Sequence, residues 1–528
     1  MAASAPVASG RAGLAPRALP LLGVLTFAGA SAAVAAGAGG WGIPHNDDWA
    51  LLRIALHLAD TGSFGLLGFD RAALAGQALP AAGVVAVTGG GVRTLQALDL
   101  AAAAAALALA YCLLRRFLGP GRAALGAAVL LGTPELWLLS TSFMTDALAA
   151  ALTLGSLLLG VVALQRPGRA TAPFLGALLL GAWAFTVREA AVAAPVAVLL
   201  AAALPRGSEL RRPARAAAVV LGAAVLAFEG WRRSLPHDDQ PHVALDAGAT
   251  AAHVLEALFW TGLVLAPVTL CWAARWRSPR TWLLVGVAGV LAGVLRLGLQ
   301  RPFFPANYLS RRGGYVSAGL GTRAALVPAG LWVVVCAVAV VSAGVLLARL
   351  GDRGGRSSQP GDAVLIGFLV CTLGGLLVED LLGQTTYSRY LVVVPPVLAV
   401  FLLRSVRPVR EARAASVALL AGLCGLAVVL TAGTLRSDAA RWRAAEALVA
   451  DGVEPMQIAA GQEWSGWHTG GVAVHDRRDA PGDLAWWTGM FGDASECWLV
   501  TMDGHDRAGY RLVDSAPGVW VFRAERGC

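Results

Sequence analysis

Three short polar runs interrupt an otherwise apolar sequence and hold residue types able to do chemistry. His45-Asn46-Asp47-Asp48-Trp49 sets two carboxylates side by side, Ser142-Phe143-Met144-Thr145-Asp146 offers a third, and Thr186-Val187-Arg188-Glu189 adds a guanidinium next to another acid. A carboxylate within hydrogen-bond reach of a hydroxyl can take its proton and so activate a poor nucleophile. A guanidinium presents two parallel donors to a phosphate or carboxylate. Each run also has a plainer explanation. Acids favour helix starts because of the helix dipole, Asp146 could simply head its helix, and Arg188 and Glu189 could neutralise one another at a surface. Against the plain reading of Asp146, an acid at the end of an apolar helix is costly unless it meets water or a partner.

The elements that must position these runs follow from composition. The chain has 528 residues, of which 57% are hydrophobic and 14% charged, against about 25% charged in soluble domains. Mean hydropathy is +0.64. A membrane-crossing helix needs roughly 20 apolar residues, and the apolar runs predict thirteen spans: 19–40, 95–114, 123–139, 147–164, 172–187, 190–204, 214–231, 252–273, 281–299, 324–348, 362–378, 389–403 and 414–432. Residues 172–204 as one helix would rise about 50 Å, too long for one crossing, so a tight hairpin with Arg188-Glu189 at its tip is expected instead. The basic residues before the first run resemble a signal peptide. That run is longer than a signal core, so an uncleaved first span is expected.

All 42 basic residues are arginine, and the formal charge is +9. No nucleic-acid-binding motif accompanies that excess. Placing the N-terminus in the cytoplasm puts 21 arginines and four acids on the inside, a net +17 that leaves −8 elsewhere. Such asymmetry is the positive-inside signature of a multi-pass inner (plasma) membrane protein. An odd span count leaves residues 433–528 outside, beyond a membrane part of residues 1–432. This polar tail reads as a small α/β domain, with a helix over 438–449 and strands over 456–460, 472–475, 497–501 and 519–523. The external loop 41–94 opens on the acid pair. Asn46 is a suitable N-cap there, and Leu51, Leu52, Ala55, Leu58 and Ala59 recur at helical spacing, which predicts an amphipathic surface helix over 47–60. Asp47, Asp48, Asp146, Arg188 and Glu189 then share one external water boundary.

In that order and placement, the Asn46-Asp47-Asp48-Trp49 helix start, the Phe143-Met144-Thr145-Asp146 element and Arg188 at the next hairpin, the chain resembles the GT-C superfamily of integral membrane glycosyltransferases. Within it the similarity is to bacterial relatives of protein O-mannosyltransferases and of the lipid A aminoarabinose transferase. The resemblance covers residues 19–205 and continues as many spans followed by an external domain. It implies an all-α, GT-C-like membrane domain and transfer of a sugar from a polyprenyl-phosphate donor to a glycan, lipid or protein acceptor on the external face. It gives Asp47, with Asp48 beside it, the general-base role, and Asp146 the orientation of acceptor or sugar. The family usually has Asp-Glu where this chain has Asp47-Asp48. A single base without a covalent step implies inversion. The departing lipid phosphate would need a cationic clamp. Arg188 with Glu189 beside it comes first by position, then Tyr387, Arg389 and Tyr390, then Arg311 and Arg312 of the external loop 300–323, although Arg and Tyr also serve simply as interfacial anchors.

Three further readings remain. His237-Asp238-Asp239 and His242 match no metal-ligand spacing, so no cofactor and no obligatory metal is expected; some GT-C enzymes do bind a divalent cation near the acid pair. Cys497 and Cys528 both lie in the tail and could pair outside the cell. The tail's tryptophans suit core or interface packing, with sugar stacking by Trp464, Trp467 or Trp486 as the alternative. The competing function is a transporter or flippase of a lipid-linked saccharide. Transporters concentrate ionisable groups at the bilayer midplane in repeated, broken helices, and this sequence has neither feature.

Overall fold

The computed structural model describes residues 15–67, 74–204, 209–235, 246–273, 278–305, 308–314, 318–351, 359–383, 387–404, 410–470, 491, 494–525 and 528. The expected strand over 472–475 and the His237–His242 cluster lie outside them. The chain is a multi-pass helical membrane protein with a small sheet at its C-terminal end. In order, the helices are α1 Ala15–Ala38, α2 Asp48–Thr61, α3 Ala75–Thr88, α4 Val92–Arg115, α5 Pro120–Ala128, α6 Pro134–Leu139, α7 Thr145–Gln165, α8 Thr171–Val187 and α9 Ala193–Ala203. They continue as α10 Arg211–Ser234, α11 Ala247–Val268, α12 Pro279–Gly293, α13 Ala329–Leu350, α14 Asp362–Leu381, α15 Val394–Arg404, α16 Arg410–Ala450 and α17 Gln462–His468.

Nine of the described helices are long and apolar enough to cross a membrane: α1, α4, α7, α10, α11, α12, α13, α14 and α16. Three more of the thirteen expected spans are the shorter apolar helices α8, α9 and α15. The remaining one, 123–139, is not a continuous helix. It breaks into α5, a 3-10 turn and α6, because Thr133 is extended before Pro134 and its side chain caps Leu136 N–H at 3.4 Å. Helix α7 is the most enclosed of the spans and packs against α4 and α8. Outward-facing Leu179, Val219, Val220, Leu226, Leu283 and Leu297 remain exposed, the surface that lipid covers. The hairpin forms as expected: α8 ends at Val187, Arg188 is extended, and a 3-10 turn at Glu189–Val192 leads into α9.

The 41-residue α16 spans about 60 Å, twice the roughly 30 Å hydrocarbon core. The expected separate helix at 438–449 is its uninterrupted continuation. Beyond it lies a four-stranded sheet of order β1-β2-β4-β3, built from β1 Ile458–Ala459, β2 Trp498–Thr501, β3 Tyr510–Ala516 and β4 Val519–Ala524. The pair β1–β2 is parallel and the others antiparallel. Cys497 and Cys528 form a disulfide with their Cα atoms 5.7 Å apart. Trp442 and Trp464 meet edge-on at 5.0 Å inside this part's core, so both serve packing. Helix α17 rests on α2. Gly466 touches the Trp49 ring so closely that a Cβ there would lie 2.4 Å from it, and Arg53 Nη1 donates to Gly466 O at 2.7 Å.

Candidate active site

The two neighbouring acids of the first run do different jobs. Helix α2 begins at Asp48 with Asp47 as its N-cap, and Asp47 makes no capping hydrogen bond. The cap expected at Asn46 does not form, because that residue turns through a left-handed backbone (φ 53°), a conformation asparagine tolerates better than most residues. Asp48 is fully buried. Its Oδ1 accepts His45 N–H at 2.5 Å and its Oδ2 accepts Phe143 N–H at 3.1 Å. Burial pushes its pKa up to about 7, against the opposing pull of His45 and the two backbone donors. Asp48 therefore ties the first run to the second.

A carboxylate absent from the sequence reading makes the neighbouring tie. Asp99 on α4 is 1% exposed. It accepts Met144 N–H at 2.9 Å and the Gln77 amide at 3.2 Å. Gln77 in turn reaches Met144 O at 3.3 Å. Consecutive backbone N–H groups of the Phe143-Met144 turn are thus held by acids from two other helices, and this turn aims Thr145 and Asp146 at the start of α7. The acid had a readable signal: it sits on one stripe with Ala102, Ala103 and Ala106, all buried.

Asp146 does not cap α7, nor do Arg188 and Glu189 form a closed pair. Arg188 Nη1 lies 2.7 Å from Asp146 Oδ1 and donates to Thr145 Oγ1 at 2.9 Å. The same guanidinium covers the Tyr390 ring at 4.3 Å. Glu189 faces away from this cluster and meets Arg232 at 3.5 Å.

Asp47 keeps a side chain 32% exposed, with Oδ2 3.9 Å from Arg389 Nη2 and 3.3 Å from Asn46 Nδ2. Its pKa is raised, chiefly by burial, while Arg389 opposes and Asp146 adds to the rise. Arg389, in the 3-10 turn Ser388–Leu391 that precedes α15, packs near the rings of Tyr387 (5.2 Å) and Tyr390 (5.5 Å). Its side chain is 9% exposed, and its Nε and Nη1 have no hydrogen-bond partner. Tyr308, buried beside Arg389, completes the group. Asp47, Asp146, Arg188, Arg389, Tyr387 and Tyr390 are thus brought together from four chain segments. Arg311 and Arg312 stand apart. Their carbonyls are taken by Leu326 and Arg323, and among the described residues neither pairs with these acids. Among the described residues no group of three or more His, Cys, Asp or Glu is arranged to hold a metal ion.

A buried network carries this site to the tail. His45 contacts Asp438 at 3.5 Å, Asp438 contacts Arg323 at 3.3 Å and Arg441 at 3.4 Å, and Arg441 pairs with Glu463. Burial alone would lower the His45 pKa, but the Asp438 carboxylate beside it, with the charge of Asp48, raises it.

No curated protein matches the chain. The crystal structure of ArnT from Cupriavidus metallidurans in the apo state is 14% identical, covering 82% of this chain and 80% of that one with a TM-score of 0.38. The structure of the same protein bound to undecaprenyl phosphate is 14% identical and covers 94% and 97%, with a TM-score of 0.44. Residues 78–231, a stretch holding Asp146 and Arg188 but beginning after the Asp47-Asp48 pair, match the family model described as dolichyl-phosphate-mannose-protein mannosyltransferase, and so bear out the resemblance to the GT-C superfamily.

Proposed function

We propose that the chain is a membrane glycosyltransferase that passes a sugar from a polyprenyl-phosphate donor to a cell-envelope glycan, lipid or protein at the external face of the inner membrane. In this reading α5 and α6 together make the thirteenth crossing, residues 1–432 form the membrane part, the N-terminus is cytoplasmic and 433–528 cap the external side. The observation that carries the proposal is Arg389, a nearly buried guanidinium with two unpartnered N–H groups beside the partly exposed carboxylate of Asp47. Unmet donors on a desolvated arginine suit charge-assisted hydrogen bonds to phosphate oxygens.

The acceptor hydroxyl attacks the anomeric carbon, the bond from that carbon to the phosphate oxygen breaks, and the polyprenyl phosphate leaves as an anion. Asp47 takes the hydroxyl proton, and Arg389 with Arg188 stabilises the leaving phosphate. Asp146 orients Arg188 and borders the space between them. One displacement without a covalent intermediate inverts the anomeric centre. Asp48 holds the frame in place of reacting, since both its oxygens already accept backbone N–H groups. The reaction needs no metal.

Membranes containing wild type or Asp47→Asn, incubated with a panel of polyprenyl-phosphate sugars, test the reading. Wild type should consume at least one lipid donor and the variant should lose transfer. If lipid-linked saccharide crosses the bilayer while no donor is consumed, the protein is a flippase and the proposal fails.

A further inference from the structure

Next to the acids, at the seam between the membrane part and the tail, lies a cavity of about 50 Å³ whose walls include His45, Asn46, Tyr308, Arg441, Gln462 and Glu463. Two of these residues belong to both spaces: Asn46 donates to Asp47 and Tyr308 is buried beside Arg389. Gln462 is 7% and Arg441 3% exposed, yet Gln462 Nε2 and Arg441 Nε lack hydrogen-bond partners. Leaving a buried donor unmatched costs about 1–3 kcal/mol, so two of them on one small cavity mark a place where a ligand supplies the acceptors.

The charges around the cavity select the ligand class. Asp438 and Glu463 face Arg441 and His45, with Arg323 behind Asp438, so opposite charges are already matched and no excess of either sign awaits an ion. One water needs roughly 10–15 Å³ of such space, which gives room for a few hydroxyls and none for a lipid tail. We propose that this cavity is a subsite for the hydroxyl edge of an uncharged sugar ring, read by the Gln462 amide and the Arg441 guanidinium with Glu463 accepting. It rests on the transferase reading above and assigns the tail, which lies outside the matched stretch 78–231, a direct role in substrate recognition. The ring is either the donor's own sugar or a sugar of the acceptor, and kinetics separate the two.

Gln462→Met and Gln462→Leu roughly keep the side chain's size, remove its donor and add no charge, and since Nε2 has no partner to lose, both should retain the wild-type melting temperature. In the purified full-length protein each should raise one KM about 3- to 10-fold, the loss of a single net hydrogen bond, with kcat within twofold. A rise in the polyprenyl-phosphate-sugar KM assigns the subsite to the donor, and a rise in the acceptor KM assigns it to the acceptor. Both KM values unchanged in folded variants would overturn the proposal. Should wild type show no transfer at all, binding is read directly by titrating methyl α-mannopyranoside, methyl α-glucopyranoside and methyl α-arabinopyranoside against tryptophan fluorescence. Saturable binding of any of them that weakens in both variants supports the subsite although the transferase reading has failed. Absence of saturable binding, or equal binding by all three proteins, removes the subsite as well.

Discussion

Replacing Asp47 by asparagine separates chemistry from architecture. The carboxylate is 32% exposed and, at 3.9 Å from Arg389, makes no hydrogen bond to it, while asparagine has the same size and keeps an oxygen for Asn46 to donate to. The variant should therefore fold, with a melting temperature within a few degrees of wild type. A positioned general base contributes about 10²- to 10⁴-fold, so kcat should fall by that factor, equivalent to roughly 2.7–5.5 kcal/mol of barrier. The pH profile is the sharper readout. Burial lifts the Asp47 pKa above its ordinary 3.8, and only the ionised form accepts a proton, so wild-type kcat should decline on acidification along a limb set by that group. The limb should be missing from the residual activity of Asp47→Asn. Steady-state transfer measured across pH in detergent or proteoliposomes reads both quantities. A variant with wild-type kcat, or one that keeps the acidic limb, would refute the assignment of Asp47 as the base.

The remaining expectations concern the groups around it. Arg188→Gln strands the buried Asp146 carboxylate 2.7 Å away and should lower stability by about 3–5 kcal/mol, the cost of breaking a buried pair; donor KM and thermal unfolding read it. Asp48 titrates at about 7 when folded against 3.8 ordinarily, so the native state holds the extra proton in between. Stability should decline as pH rises from about 4 to 7, and in Asp48→Asn, which cannot titrate, unfolding temperatures should lose this component of the slope. The Cys497–Cys528 bridge spans 31 residues, and Cys497→Ser should cost about 3–4 kcal/mol of tail stability, seen as faster proteolysis beyond residue 450. Transfer should survive EDTA, and a loss reversed by added divalent cation would show that a metal takes part.

What the sequence disclosed follows the range of each signal. Apolar runs are local, so most of the spans and the hairpin at Arg188 were legible, and so was a surface helix opened by the acid pair. The different duties of Asp47 and Asp48 were partly legible, because Asp48 shares the buried stripe of Leu51, Leu52 and Ala55 while Asp47 precedes the helix. The pairing of Arg188 with Asp146 was hidden, since an adjacent acid, Glu189, offered a simpler partner and only the fold decides between them. The polar residues after 432 suggested the end of a helix, yet Arg436 and Asp438 lie on a segment with no glycine or proline until Gly452, and α16 runs on through it. Strand β3 escaped because it is the outer strand of its sheet and most of its side chains face solvent.

That unbroken α16 makes the membrane part and its cap one mechanical piece. A lever that leaves the bilayer and carries Asp438 and Arg441 straight into the ceiling of the cavity allows little independent swivel where the two parts meet. On the transferase reading proposed above, substrates would then reach the site sideways along the membrane beneath a fixed roof, rather than under a lid that rises.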